Sequence, residues 1–192
     1  MHKQGPVVGI FLAAGSATRF GGAKLLAPLP NGTPIGVAAL KNLAAAVDAV
    51  VAVVRTGDAA LASVFAALGA RVTACPRAAE GMGVSLAWGI RAAPVAAGWI
   101  IALADMPWVD PATIARIADA LKHGSALVAP EYQGTRGHPV GMAARFYGEL
   151  TALSGDDGAK RVLAAHASAL ELIVVNDAAV LRDIDTPDDL QR

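Results

Sequence analysis

Leu12-Ala13-Ala14-Gly15-Ser16-Ala17-Thr18-Arg19-Phe20-Gly21-Gly22-Ala23-Lys24 continues directly from the apolar run Val7–Leu12. A short apolar run closed by a glycine-rich turn reads as a buried strand feeding a loop. Glycine and alanine let the backbone approach a ligand closely and adopt conformations that larger residues resist. Successive backbone N–H groups in such a turn form an anion-binding concavity, to which Arg19 and Lys24 add positive charge. The chemistry suggested is a polyphosphate cradle, and the plainer reading is a flexible strand-to-helix loop. The spacing is not that of a Walker loop, because Gly15 stands six residues before Gly21 and Ala23 precedes Lys24. The dinucleotide fingerprint Gly-x-Gly-x-x-Gly also fails.

Outward from this loop the chain repeats one rhythm: an apolar run, a turn, then an alanine-rich amphipathic segment. Helices are expected over Ile35–Ala46, Asp58–Leu68 with Gly69 at its end, Val84–Ala93, and Pro111–Leu121 with Asp110 as N-cap. Strands are expected over Ala49–Val54, Arg71–Ala74, Trp99–Ala104 and Ala126–Ala129. The continuous β-branched run in Ala49–Val54 fits a parallel strand covered on both faces. Such alternation predicts an α/β protein with a doubly wound, largely parallel sheet. Beyond Pro130 the rhythm changes to a polar loop, Glu131–His138, then a strand over Pro139–Met142. A helix over Phe146–Leu153, a helix within Gly155–His166 and a strand over Glu171–Val175 follow. No internal repeat or linker divides the 192 residues, so one domain is expected.

Composition narrows the function. The chain is 55% hydrophobic and 17% charged, and its mean hydropathy of +0.48 reflects alanine-rich helices rather than a run of membrane-spanning length. A formal net charge of zero argues against a nucleic-acid groove or a membrane-binding surface. The lone cysteine, Cys75, excludes an internal disulfide and a zinc cluster, and reads as buried. Met1–Pro6 lacks the apolar core of a signal peptide, so a cytoplasmic location is expected.

Asp105 follows Trp99–Ala104, at the carboxyl end of a central strand, where open α/β sheets bind ligands. A carboxylate there suits Mg²⁺, which takes one or two carboxylates plus substrate phosphates; alternatively Asp105 caps the turn before Pro107. In Asp183-Ile184-Asp185-Thr186-Pro187-Asp188-Asp189, alternation puts Asp183 and Asp185 on one side and Ile184 on the other. That pair forms the better metal candidates, whereas Asp188 and Asp189 suit the first turn of a helix. Gly81-Met82-Gly83-Val84-Ser85 is a second glycine loop, able to approach a ligand, with Ser85 as a possible helix cap. Arg136, His138, Lys160 and Arg161 are the remaining polar groups suited to a phosphorylated acceptor.

Taken in order, these blocks resemble the MobA-like nucleotidyltransferases, and within them the molybdenum cofactor cytidylyltransferases. The resemblance rests on Leu12-Ala13-Ala14-Gly15…Arg19…Gly21…Lys24, Gly81-Met82-Gly83-Val84-Ser85-Leu86, and Leu103-Ala104-Asp105-Met106-Pro107. It continues in Arg136-Gly137-His138-Pro139-Val140, Gly155-Asp156-Asp157-Gly158-Ala159 and Asp183 through Leu190, covering nearly the whole chain.

The resemblance implies a three-layer α/β/α sandwich with a Rossmann-like, mainly parallel sheet of the nucleotide-diphospho-sugar transferase type. It implies a nucleotide-binding half at about residues 7–110 and an acceptor-binding half at about 111–192. Arg19 and Lys24 match triphosphate-gripping positions, with Leu12, Ala13, Ala14 and Gly15 as the cradle. Gly81, Met82, Gly83 and Ser85 match the loop near the base. Asp105 matches the magnesium ligand and Asp185 a second acidic position near it. The Ala14-Gly15 form of the first loop looks cytidylyl, where guanylyltransferases tend to have Gly-Gly. The implied reaction transfers CMP from CTP to the phosphate of molybdopterin, releasing pyrophosphate, with transient contact to a molybdoenzyme or its chaperone. GTP, another phosphorylated acceptor, or a nucleotide-binding chaperone without turnover are the alternatives.

Overall fold

A computed structural model describes residues 5–15, 20 and 23–191. In chain order the elements are β1 (Val7–Leu12), α1 (Ile35–Ala44), β2 (Ala49–Arg55), α2 (Ala59–Ala67), β3 (Arg71–Cys75), α3 (Met82–Ala92) and β4 (Gly98–Leu103). These are followed by α4 (Pro111–Lys122), β5 (Leu127–Tyr132), β6 (Thr135–Arg136), β7 (Val140–Ala143), α5 (Tyr147–Thr151), α6 (Lys160–Ala165) and β8 (Leu170–Val174).

One sheet runs through both halves of the chain, in the order β3-β2-β1-β4-β7-β5-β6, with β8 also pairing β5. β1 lies parallel between β2 and β4, and β3 and β8 are parallel to their partners. The exceptions are β7, antiparallel to both β4 and β5, and β6, antiparallel to β5, so the sheet is mixed and mainly parallel.

Alternation along the strands builds two separate cores. Val7 and Phe11 of β1, Ala52 and Val54 of β2 and Ile100 of β4 pack with Leu40 and Leu43 of α1, Phe65 of α2 and Ile117 of α4. On the opposite face Val8, Ile10, Val53 and Ile101 meet Leu86 and Ile90 of α3, Leu150 of α5 and Val162 of α6. A strand buried on both faces must be apolar at every position, as β1 is throughout.

The local signals act as expected at several points. Asp110 accepts from the Ala112 amide at 2.8 Å with Pro111 at the first helical position, Asp58 caps α2, and Gly69 has a φ of +84°. Two expectations are corrected. The segment Glu131–His138 is not a loop throughout: β5 runs on to Tyr132 and turns back into β6, with Glu131 paired to Arg136. Proline and glycine at Pro130 and Gly134 mimic loop punctuation, yet the hairpin needs only Gln133-Gly134 at its tip. Ser85 caps nothing, because α3 begins at Met82 and Ser85 lies buried inside its first turns. No helix among the described residues is long and apolar enough to cross a membrane.

Candidate active site

The carboxyl ends of β2, β1 and β4 meet at one edge of the sheet, and three connections emerge there. Past β1, the Ala13 amide donates to Val53 O at 2.9 Å, extending the ladder by one step before the first loop departs. Arg55, the last residue of β2, donates from Nε to Ala14 O at 2.7 Å and fixes the start of that loop. Among the described residues, the Ala14 and Gly15 amides have no acceptor.

Past β4 the chain turns at Ala104-Asp105. The Asp105 carbonyl accepts from the Ile184 amide at 2.9 Å, which ties the C-terminal tail to the strand end. Ile184 is fully buried with Leu29 and Ile35, so its neighbours Asp183 and Asp185 are turned toward the cleft side. Asp189 shapes this turn by accepting from the Asp185 amide at 3.1 Å and from the Thr186 amide at 2.8 Å. Oxygens of Asp105, Asp183 and Asp185 therefore lie within 4.8 Å of one another. Three carboxylates converging from two distant segments repel one another unless a cation joins them. Their hard oxygens fit a divalent ion of the magnesium or manganese type.

Lys24 supplies positive charge in the same place. Its Nζ lies 2.8 Å from Asp105 Oδ2 and 3.9 Å from Asp185 Oδ1, and donates to Ile184 O at 2.6 Å. The side chain is only 9% exposed, so its ammonium is committed to the carboxylates and the tail.

Beside the triad opens a cleft of about 610 Å³. Its walls include Leu12, Ala14 and Gly15 of the first loop, Arg55, Ala78 and Ala79 from the far side, and Gly81, Met82 and Ser85 of the α3 entry. Gly81 has a φ of +124°, and a Cβ there would lie 2.3 Å from the Gly155 backbone. The Gly83 amide donates to Gly155 O at 2.8 Å, which brings the Gly155 loop against α3 and puts Asp156 in the cleft wall.

Of the residues singled out from sequence, Leu12, Ala14, Gly15, Gly81, Met82, Ser85, Asp105, Asp183 and Asp185 line this cleft. Ala13 lies buried behind it in the core, and the Gly83 amide is engaged with the Gly155 loop. Arg19 falls outside the described residues. Arg136, Lys160 and Arg161 are exposed, on β6 and in α6, and do not line the cleft. His138 lies behind it, against Leu103 and Met106, with Nδ1 buried and unpartnered among the described residues. Burial, then the nearby Arg136 charge, pushes His138 below the ordinary imidazole range, while Asp105 and Asp183 pull more weakly the other way. At neutral pH the ring is uncharged. Cys75 is buried, as its position implies. Sequence reasoning missed Arg55, which belongs to no motif and reaches the cleft only through the sheet order, and it quoted Asp156 within Gly155-Asp156-Asp157-Gly158 without giving it a place in the site, which it gains through the Gly83–Gly155 contact.

The family model described as MobA-like NTP transferase domain matches residues 9–170. Among curated proteins, the chain is 33% identical to the purine catabolism protein PucB of Bacillus subtilis, across 95% of this chain and 93% of that protein. Rv0371c of Mycobacterium tuberculosis superposes with a TM-score of 0.83 at 28% identity, covering 99% and 97% of the two chains. That protein has also been solved in complex with manganese. A nucleotidyl transferase from Methanothermobacter shares the fold with a TM-score of 0.82 at 23% identity, covering 97% and 95% of the two chains.

Proposed function

The chain belongs to the MobA-like NTP transferase family, and on that premise we propose that it transfers CMP from CTP to the phosphate of molybdopterin or molybdenum cofactor, releasing pyrophosphate. The observation that carries the reaction class is the convergence of Asp105, Asp183 and Asp185 beside a cleft of nucleotide size. Mg²⁺ is the cation we assign to the triad; when bound, it supplies charge neutralisation on the phosphates.

An acceptor phosphate oxygen attacks the α-phosphorus, one phosphorus–oxygen bond forms, and the bond to the β-phosphate oxygen breaks. A phosphate monoester is already ionised near neutral pH, with a second pKa near ~6, so the reaction needs no general base. The neutral, buried imidazole of His138 accords with that. The chain's own work is positioning and electrostatics. Ala14 and Gly15 offer amides to the phosphates, Arg19 and Lys24 add positive charge, and Gly81, Met82, Gly83 and Ser85 form the wall assigned to the base. Arg136, His138, Lys160 and Arg161 are assigned to the acceptor, within a single domain whose nucleotide half ends near residue 110.

The cytidylyl-like form Leu12-Ala13-Ala14-Gly15 supports CTP over GTP. The name of the Bacillus relative supports purine breakdown as the setting, served through contact with a molybdoenzyme or its chaperone in the cytoplasm.

Thermal denaturation with Mg²⁺ and each nucleoside triphosphate tests the reading. A ligand at one hundred times its Kd adds about 2.7 kcal/mol, which for a chain of this size raises Tm by about 5–11 °C. CTP is expected to give the largest rise, and to lose most of it without the cation. A rise with GTP alone would overturn the base assignment, and no rise with any nucleotide would overturn the reading as a whole.

A further inference from the structure

Arg55 has no part in the resemblance, yet it lines the cleft at the end opposite the carboxylates. The sheet order β2-β1-β4 separates it from the Asp105 strand by two strand spacings, about 10 Å. With phosphates at the triad, a ribose and base extend across β1 toward Arg55, where Ala78 and Ala79 leave room for a flat ring. The guanidinium is partly used and firmly held. Nε is spent on Ala14 O at 2.7 Å, and among the described residues its terminal nitrogens have no hydrogen-bond or ion-pair partner. A guanidinium fixed through Nε presents the remaining N–H groups as a rigid fork.

We propose that Arg55 reads the nucleotide base, selecting an edge with two adjacent hydrogen-bond acceptors. This rests on the nucleotidyltransferase reading above. Cytosine offers such an edge in N3 and O2, and guanine in O6 and N7. Uracil interposes the N3–H donor between its two carbonyls, and adenine sets an amino donor beside each of N1 and N7, so neither matches the fork. Arg55 thereby links base choice to the first loop, because the same side chain holds the Ala14 carbonyl.

Calorimetric titration of CTP, UTP, GTP and ATP, each with Mg²⁺, into the wild type, Arg55→Met and Arg55→Lys tests this. The wild type is expected to prefer CTP over UTP. Arg55→Met should weaken CTP by about 5- to 150-fold more than it weakens UTP, whatever loss the two share through the released Ala14 carbonyl, so the preference disappears. Arg55→Lys keeps the charge but not the fork, and should also fail to discriminate. Equal weakening of all four nucleotides by Arg55→Met would overturn the proposal, since a residue that merely holds the loop or meets phosphates acts without regard to base. An unchanged CTP preference in Arg55→Met would overturn it as well. If the wild type instead prefers GTP and Arg55→Met abolishes its advantage over ATP, Arg55 keeps its role and the cytidylyl assignment falls. A wild type that binds no nucleotide would overturn the transferase reading and this proposal together.

Discussion

Asp105→Asn is expected to lower the rate of nucleotidyl transfer by about 10²–10³-fold or more while the protein stays folded. The substitution keeps the side-chain volume and removes one negative charge from the three that converge within 4.8 Å. It therefore weakens cation binding and leaves Lys24, whose Nζ lies 2.8 Å from the Asp105 carboxylate, with a neutral acceptor in place of a charged one. Lys24 keeps the Ile184 carbonyl at 2.6 Å and Asp185 at 3.9 Å, so the ammonium is not left without compensation. The tail also stays attached, since it hangs from the Asp105 main-chain carbonyl, which the substitution does not alter. Circular dichroism with a transfer assay separates the two effects. Near-normal activity in a folded Asp105→Asn protein would contradict the place given to the triad.

Gly81→Ala is expected to be the most damaging single methyl at the site. Its φ of +124° and ψ of +170° belong to a region essentially reserved for glycine, which costs another residue about 1–3 kcal/mol. The added Cβ would also meet the carbonyl carbon and oxygen of Gly155 at 2.3 Å, both backbone atoms with little freedom to yield. Together these predict a loss of about 2–4 kcal/mol, or about 4–16 °C in Tm for a chain of this size. The Gly83–Gly155 hydrogen bond shifts with it, so Asp156 leaves its place in the cleft wall and nucleotide affinity falls too. Gly15→Ala is the control. Among the described residues no atom lies within 4 Å of a Cβ built there, so its stability should be unchanged even if a nucleotide is crowded. Equal Tm values for Gly81→Ala and Gly15→Ala would contradict this account of the α3 entry.

The parts of the site that sequence exposed are those whose chemistry is written in adjacent residues. Asp105 stands directly after a run of strand residues, and Asp183 and Asp185 flank a single apolar residue, so position along the chain implies position on the sheet edge. The resemblance joined these blocks, and the mixed, mainly parallel sheet with helices on both faces agrees with the fold it implies. What stayed hidden depends on pairing between distant segments. Arg55 ends an apolar strand and reads as a surface residue until β2 is placed beside β1. Lys24 reads as a phosphate ligand, and only the tail crossing over Asp105 shows it held by carboxylates in this structure. The helix expected from Val84 begins at Met82 instead, because Gly81 looks like a loop residue in sequence yet stands at the helix N-cap. Antiparallel insertion of β7 between β4 and β5 leaves no local trace, since Val140–Ala143 carries no marker of strand direction.

Pyrophosphate release from CTP and Mg²⁺, measured with and without molybdopterin, tests the central claim most directly. The account predicts release that depends on the acceptor and matches, mole for mole, the appearance of a CMP-linked product. Tight CTP binding without pyrophosphate release, with molybdopterin or any other phosphorylated acceptor, would contradict it and leave a protein that holds nucleotide without turning it over.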